Sequence, residues 1–374
     1  MTIQRGVSLY SYQQSQFFKE LTLEDQIREV GQNLGGADGI ELVDEMSLRY
    51  PDPGDAFRRQ WFAWMDTYGT KPVAMDVGMD VLQFRDHVMT IEECADRLRH
   101  DLRLAKSLGF TNVRVLSVVP IDVLLSALPL AEQLDIKLGK EIHQPMPLEG
   151  REVGEIMDIV ERTGTKHLGI VPDLGIFQFR PSEVLLAWFQ RRGAQESACE
   201  ASVHLALQLR EGKAPFDHLD MARHTAGNLR AEFNRFLTTG ICQADFTEAF
   251  EGVKRYTDER VQNPQDVDYR AVAEALMLSQ TSADTLRQLA PHVIHVHGKF
   301  NNMSPVPLQP GEYQEISIDY PSAIRALKEG GFHGYINSEY EGQRYFQDRG
   351  REDLMDEVEQ VRRHQKMLRR LLAA

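Results

Sequence analysis

Short apolar runs alternate along this chain with amphipathic stretches of helical period, which is the pattern of strand–helix units wound around a parallel sheet. Eight runs predict strands: GVSLYS at 6–11, GIELVD at 39–44, PVAMDV at 72–77, NVRVLSV at 112–118, IKLGKEI at 136–142, HLGIVPD at 167–173, VIHVHG at 293–298 and GYINSE at 334–339. Most are apolar on both faces, as strands covered by helices require. The clearest helix opens at Thr90, whose hydroxyl can cap the first turn while Glu93 reaches back, and stops at Gly109. Further helices fit 151–163, 181–191 and 321–330, the last with Pro321 in its first turn and Gly330-Gly331 at its end. A charged stretch with a narrow apolar stripe, from about Glu352 to Leu372, fits a helix closing the structure from outside.

Eight such units predict an α/β fold, a (β/α)8 TIM barrel spanning 1–374 as a single unit. One connection breaks the rhythm. Between Asp173 and Val293 lie more than a hundred residues, against roughly 20 to 40 for an ordinary barrel connection. Within it ASVHLALQLREG, LDMARHTAGNLRAEFNRFL and YRAVAEALMLSQTSADTLRQLA are helical in pattern, so a helical insertion at 181–290 is expected after strand six. Such an insertion lies beside the catalytic rim as a lid, a substrate wall or a subunit contact.

The carboxyl ends of strands five to eight each carry one potential metal ligand: Glu141 in LGKEIHQ, Asp173 in GIVPDLG, His297 in VIHVHGK and Glu339 in GYINSEYEG. A single acid at a strand end is ordinarily satisfied by a neighbouring cation or amide. Four ligands on consecutive strands, all opening at one rim, predict a metal site, because buried carboxylates need a compensating cation. Three carboxylates and one imidazole suit Mn²⁺ or Mg²⁺, with Zn²⁺ as an alternative.

His143 follows Glu141 by two residues and so faces the same side. It is a candidate base, since imidazole titrates near neutrality, with a packed or orienting histidine as the other reading. Lys299 is placed to hold a substrate oxygen or to neutralise an acid at the rim, and His295 shares a face with His297. Asp44, Glu45, Glu341 and Arg344 follow strands two and eight, where a solvated loop charge is the commoner case. The Gly-rich NLGGADG at 33–39 precedes a strand, whereas a phosphate-binding loop follows one, so it is not a dinucleotide fingerprint.

Composition narrows the function. A formal charge of −14 argues against binding nucleic acid or anionic lipid. The opening MTIQRGVSLYSY has no long apolar core and no run reaches membrane-span length, so a cytoplasmic protein is expected. Cys94, Cys199 and Cys242 are scattered, which argues against a disulfide framework or a thiolate zinc site.

The strand-end acids, the HVHGK run and GYINSEYEG together resemble the xylose-isomerase-like barrel superfamily of sugar isomerases, epimerases and dehydratases. Within it, EIHQP, PDLGIF, INSEYEGQ and the long insertion look like the alpha subunit of bacterial C-glycoside deglycosidases. The resemblance implies Mn²⁺ held by Glu141, Asp173, His297 and Glu339, His143 as base, and a small all-β partner subunit. The usual superfamily run at strand seven is HLKD, whereas this chain has HGKF, so no role of that Asp transfers.

A sugar–aryl C–C bond has no lone pair on the leaving atom to protonate, so the ordinary glycosidase route is closed. If a separate oxidoreductase makes a ketone at sugar C3, the C2 proton becomes acidic and the aglycone at C1 sits β to the carbonyl. Enediolate formation and elimination follow, with His143 deprotonating an aglycone phenol and Glu141, Glu339 or His143 itself taking the C2 proton. The competing readings are a sugar or keto-sugar isomerase or epimerase on the same barrel, and a noncatalytic binding subunit. An abasic-site endonuclease would need a basic groove that this acidic chain lacks.

Overall fold

The structure, a computed structural model, describes residues 2–216 and 229–374. Eight strands form one parallel sheet: β1 (Gln4–Ser8), β2 (Gly39–Val43), β3 (Lys71–Val77), β4 (Asn112–Val115), β5 (Lys137–Ile142), β6 (Leu168–Pro172), β7 (Val296–Phe300) and β8 (Tyr335–Tyr340). Their order is β6-β5-β4-β3-β2-β1-β8-β7. Parallel bridges at Ile170–Val293 and Asp173–His297 join β6 to β7 and bring the two ends of the sheet together. The predicted α/β barrel is the fold observed.

Two glycines make that junction possible. A Cβ on Gly169 would lie 2.4 Å from the His292 carbonyl oxygen, and one on Gly139 would lie 2.4 Å from Val171 Cγ2 and 3.3 Å from Ile294 Cδ1. Without side chains there, the chain entering β7 lies against β6, and the Ile294 amide donates to the Ile170 carbonyl at 3.0 Å. Side chains such as Val7, Ile40, Met75, Val113, Leu138, Ile170, Val296 and Ile336 belong to one continuous apolar core. Burying aliphatic side chains of this size stabilises by about 1.5–3 kcal/mol each.

Three strand boundaries differ from the sequence expectation. β1 ends at Ser8 and the chain turns into a 3-10 turn over Leu9–Tyr12, because the Ser11 hydroxyl donates to the Ser338 carbonyl and accepts from the Tyr340 amide. β4 stops at Val115, and two residues later the Ser117 amide turns to Glu141 Oε2 at 3.3 Å. β7 starts at Val296 and runs through Lys299, which therefore stands on the strand itself.

The Thr90 cap forms as expected, with Glu93 reaching back to complete a capping box on the helix Ile91–Ser107. Between β6 and β7 lie helices Glu183–Arg191, Glu196–Arg210, Leu229–Thr239, Thr247–Asp258, Asp266–Ala273 and Ala283–Leu289. Leu205, Phe233, Phe236, Phe250 and Val253 give this segment an apolar cluster of its own. The first ten residues of the predicted helix at 219–237, LDMARHTAGN, lie outside the described residues. The single helix expected over 269–290 is broken, since Gln280 takes φ 54° and Ser282 caps a new helix. No helix of the described residues is long and apolar enough to cross a membrane.

The C-terminal helix Glu357–Ala373 packs against β8 through His364 and Gln365. His364 is fully buried and stacks on Phe300 with ring centroids 4.2 Å apart. Tyr320 Oη donates to the Lys299 carbonyl, so it accepts from His364 Nε2 at 2.7 Å, and His364 Nδ1 is left to accept from Ser338 Oγ at 2.7 Å. Both nitrogens are thus satisfied by the neutral ring. Burial pushes this imidazole down to about 3.

An unfolded chain protonates this residue below its ordinary value near 6.5, whereas the folded chain does so only near 3. His364 therefore costs nothing above pH 6.5 and withdraws stability as pH falls, by up to ~1.4 kcal/mol per unit, or about 2 kcal/mol at pH 5. His364→Gln is expected to lower stability at pH 7 yet flatten the acid limb of urea midpoint against pH by about one proton. An unchanged slope in the variant would assign the acid sensitivity elsewhere.

Candidate metal centre

The four expected donors come together, Glu141 and Glu339 near the carboxyl ends of β5 and β8, Asp173 just past β6, and His297 not at the carboxyl end expected for it but as the second residue of β7, which starts later than its apolar run. Glu141, Asp173, His297 and Glu339 are all buried, and one ligand atom from each lies within 4.8 Å of the others. His297 Nδ1 is 3.4 Å from Glu141 Oε1 and 3.2 Å from Glu339 Oε2. Asp173 caps the turn Leu174–Phe177, its Oδ1 accepting from the Gly175 amide at 2.6 Å. Among the described residues, neither its Oδ2 nor Glu339 Oε2 has a hydrogen-bond donor. Burial pushes the Asp173 carboxyl up to about 6, with Glu339 and Glu141 adding to this against Lys299 and His143.

This arrangement fits a divalent cation. Three carboxylates and an imidazole form a mainly oxygen donor set, and two orphaned carboxylate oxygens stand in a buried, acid-rich mouth.

Arg114, from β4, supplies a fixed positive charge beside the set. Its Nη2 is 3.0 Å from Glu141 Oε1, 3.2 Å from His297 Nδ1 and 3.5 Å from Glu339 Oε1. Burial opposes this charge, but Asp76, Glu141, Glu339 and Glu41 outweigh it and raise the guanidinium above its ordinary value. Burial would likewise push Glu141 up, yet Arg114 and the neighbouring imidazoles hold it well below the usual carboxylate range.

A second layer lies deeper in the barrel. Glu41 from β2, Asp76 from β3, and His295 and His297 also offer atoms within 4.8 Å of one another. Glu41, Asp76 and Arg114 were not singled out from the sequence. Each is a charge flanked by apolar residues inside its strand, in IELV, AMDV and VRVL, and that was the available signal. His295, expected to share a face with His297, does so, its Nε2 lying 3.0 Å from Glu41 Oε2.

His143 stands at the outer edge, half-buried. Its Nδ1 donates to the Gln144 carbonyl at 2.8 Å, and its Nε2 is 2.5 Å from Lys299 Nζ. An ammonium only donates, so Nε2 bears the lone pair. Lys299 also pairs with Glu341 Oε2 at 2.6 Å and lies 3.5 Å from Asp173 Oδ2. Burial works against its charge, but Asp173 and Glu341 hold it above its ordinary value. Against burial, Lys299 and Arg344 bring Glu341 down to about 2. Arg344 reaches Tyr10 Oη at 2.8 Å and Glu341 Oε1 at 2.7 Å.

Asp44 and Glu45 do not join this group. They pair with Arg97, whose Nε holds Asp101, in a network beside the helix Ile91–Ser107. A cavity of about 730 Å³ opens beside the centre, with Ser117, Val119, Gln144, Glu152, Arg230 and Met277 among its lining.

No protein-family model matches the chain. The chain is 28% identical over 339 residues to the 3'-dehydrocarminate deglycosidase alpha subunit of a Microbacterium species, covering 90% of this chain and 88% of that one. It is 27% identical over 358 residues to a C-glycoside deglycosidase alpha subunit of Arthrobacter globiformis, covering 95% and 89%. Among solved structures, the IOLI protein, determined with a bound zinc atom, aligns over 100% of this chain and 98% of its own at 12% identity and a TM-score of 0.51. That likeness concerns the barrel fold. The resemblance read from the strand-end motifs and the relatives found by comparison agree.

Proposed function

We propose that this chain is the catalytic alpha subunit of a metal-dependent C-glycoside deglycosidase, a carbon–carbon lyase acting on 3-oxo-C-glycosides. The observation that carries the reading is the convergence of Glu141, Asp173, His297 and Glu339 at one barrel mouth beside His143. Similarity to deglycosidase alpha subunits over nine-tenths of the chain supports it, and one relative is named for a 3'-dehydro substrate.

Glu141, Asp173, His297 and Glu339 would hold the cation, Mn²⁺ by preference for this donor set. When bound, it supplies Lewis-acid stabilisation of the negative charge that develops on a keto-sugar.

The chain's own groups do the rest. The 3-ketone acidifies the C2 proton; as that proton leaves, its electron pair forms the C1=C2 bond and the C1–aryl bond breaks. Glu141, Glu339 or His143 takes the C2 proton, the ring carbon takes up one proton in its place, and the phenol proton is returned to its oxygen from His143 as the C1–aryl bond breaks, so none is gained or lost overall. His143 Nε2 bears a lone pair because Nδ1 donates to Gln144, and it takes the proton of an aglycone phenol, which makes the ring carbon basic. Lys299, held charged by Asp173 and Glu341, is placed to bind a substrate oxygen next to His143. Burial of the four donors keeps water from the developing charge.

The cavity beside Gln144 gives room for an aromatic aglycone, and the helices between β6 and β7 form a wall to it through Arg230 and Met277. In this reading 1–374 is one barrel, 181–290 is its insertion, and a partner subunit, which the relatives' name alpha subunit suggests, completes the enzyme as a small all-β chain. The test is release of free aglycone from a 3-oxo-C-glycoside by the co-expressed subunits. An epimerised ketose with the glycoside intact would instead select the isomerase reading.

A further inference from the structure

His297 is the only imidazole among the four donors, and a ring presents a lone pair to a cation from one nitrogen only. Its Nδ1 faces Glu141 and Glu339 and accepts from Arg114 Nη2 at 3.2 Å. A guanidinium has no acceptor, so in the neutral ring the proton sits on Nε2. Nε2 in turn lies 3.0 Å from Glu41 Oε1, with Asp76 Oδ1 further off at 3.8 Å.

Glu41 is itself anchored from behind. It is 0% exposed, and its Oε2 accepts from Asn337 Nδ2 at 2.6 Å and lies 3.0 Å from His295 Nε2. Room for Asn337 comes from Gly6, where a Cβ would stand 2.2 Å from Asn337 Oδ1. Thus β1, β2, β7 and β8 each contribute to one arrangement: Gly6 admits Asn337, Asn337 fixes Glu41, and Glu41 faces His297 Nε2. A carboxylate buried this deeply is costly unless such partners compensate it.

We infer that Glu41 is a positioning residue that fixes the His297 tautomer and ring orientation, so that the Nδ1 lone pair is presented to a cation held with Glu141, Asp173 and Glu339. The inference rests on the metal reading above. A carboxylate on the distal nitrogen of a ligating histidine also raises its basicity, and loss of such a partner typically weakens metal binding by about 10- to 100-fold.

The experiment is Mn²⁺ titration of the metal-stripped full-length chain, with ¹⁵N-histidine spectra of the same chain. The wild type is expected to bind one ion per chain and, with diamagnetic Zn²⁺ in place of Mn²⁺ for the spectra, to show His297 protonated at Nε2 and unprotonated at Nδ1 in the loaded chain. Glu41→Gln is expected to weaken Mn²⁺ binding by about 10- to 100-fold and to mix the two tautomers, with Glu41→Asp recovering part of both.

Unchanged affinity and tautomer in Glu41→Gln, a wild-type His297 protonated at Nδ1, or two ions per chain would each overturn the inference. Should the variants fail to fold, the wild-type spectrum decides alone. Failure of the wild type to bind Mn²⁺ at all would instead sink the metal reading. Glu41→Gln binding as tightly as the wild type would sink only the role given to Glu41.

Discussion

Replacing His143 with alanine is expected to lower aglycone release by about 10²- to 10⁴-fold, the usual contribution of a positioned acid–base group. Metal content should stay at the wild-type level. The two expectations separate because His143 is outside the four-donor set and lies 3.7 Å from Asp173 Oδ2 through its Nε2. Truncation also leaves Lys299 with Glu341 and Asp173 as partners. A half-buried side chain at a loop position carries little of the fold's stability, so a large rate loss would report chemistry. The loss should fall on kcat, since the group acts on a proton that moves during the reaction. Wild-type turnover in His143→Ala, measured as free aglycone over time, would remove it as the base.

Glu339→Gln should fail differently, losing metal and rate together. Glu339 sits between two groups of the centre, with Oε1 3.5 Å from Arg114 Nη2 and Oε2 3.2 Å from His297 Nδ1. Among the described residues Oε2 has no donor, which makes it the atom most readily given to a cation. The amide keeps the shape but removes one anionic charge from a set of three. Removing a direct ligand should weaken Mn²⁺ binding more than the roughly 10- to 100-fold typical of outer partners. Metal analysis of the purified variant is expected to show depleted metal, and excess Mn²⁺ should recover part of the rate. Full occupancy in Glu339→Gln would exclude this carboxylate from the centre.

The barrel could be read from the chain because strands covered by helices on the outside and by the core within must be apolar on both faces. The run HLGIVPD shows this directly. The positions of Glu141, Asp173 and Glu339 followed from the same logic, since a polar residue ending such a run stands at the carboxyl rim, whereas His297 stands near the start of β7. The strand ends were less legible where tertiary contacts set them. Ser11 leaves the strand to satisfy Ser338 and Tyr340, contacts that span more than three hundred residues of sequence. The break at Gln280 was hidden because the helical period continues across it, and only a left-handed backbone at that residue reveals the turn.

The deeper polar layer was missed for another reason. A charge inside an apolar strand, as at Glu41, Asp76 or Arg114, shows from sequence only that a partner must exist. Which partner depends on the barrel bringing β2, β3, β4 and β7 around one point, and Arg114 answers to Asp76, Glu141 and Glu339 from three other strands. Asp44 and Glu45, at an equally suggestive strand end, belong to the Arg97 network instead. Strand-end position alone does not separate a centre from a salt bridge; convergence does.

The most direct measurement is aglycone release from a 3-oxo-C-glycoside by the chain co-expressed with its partner, before and after exhaustive chelation. The account predicts free aglycone from the native enzyme, none after chelation, and recovery on adding Mn²⁺. Undiminished release from the fully metal-stripped enzyme, or an epimerised sugar with its aglycone still attached, would contradict it.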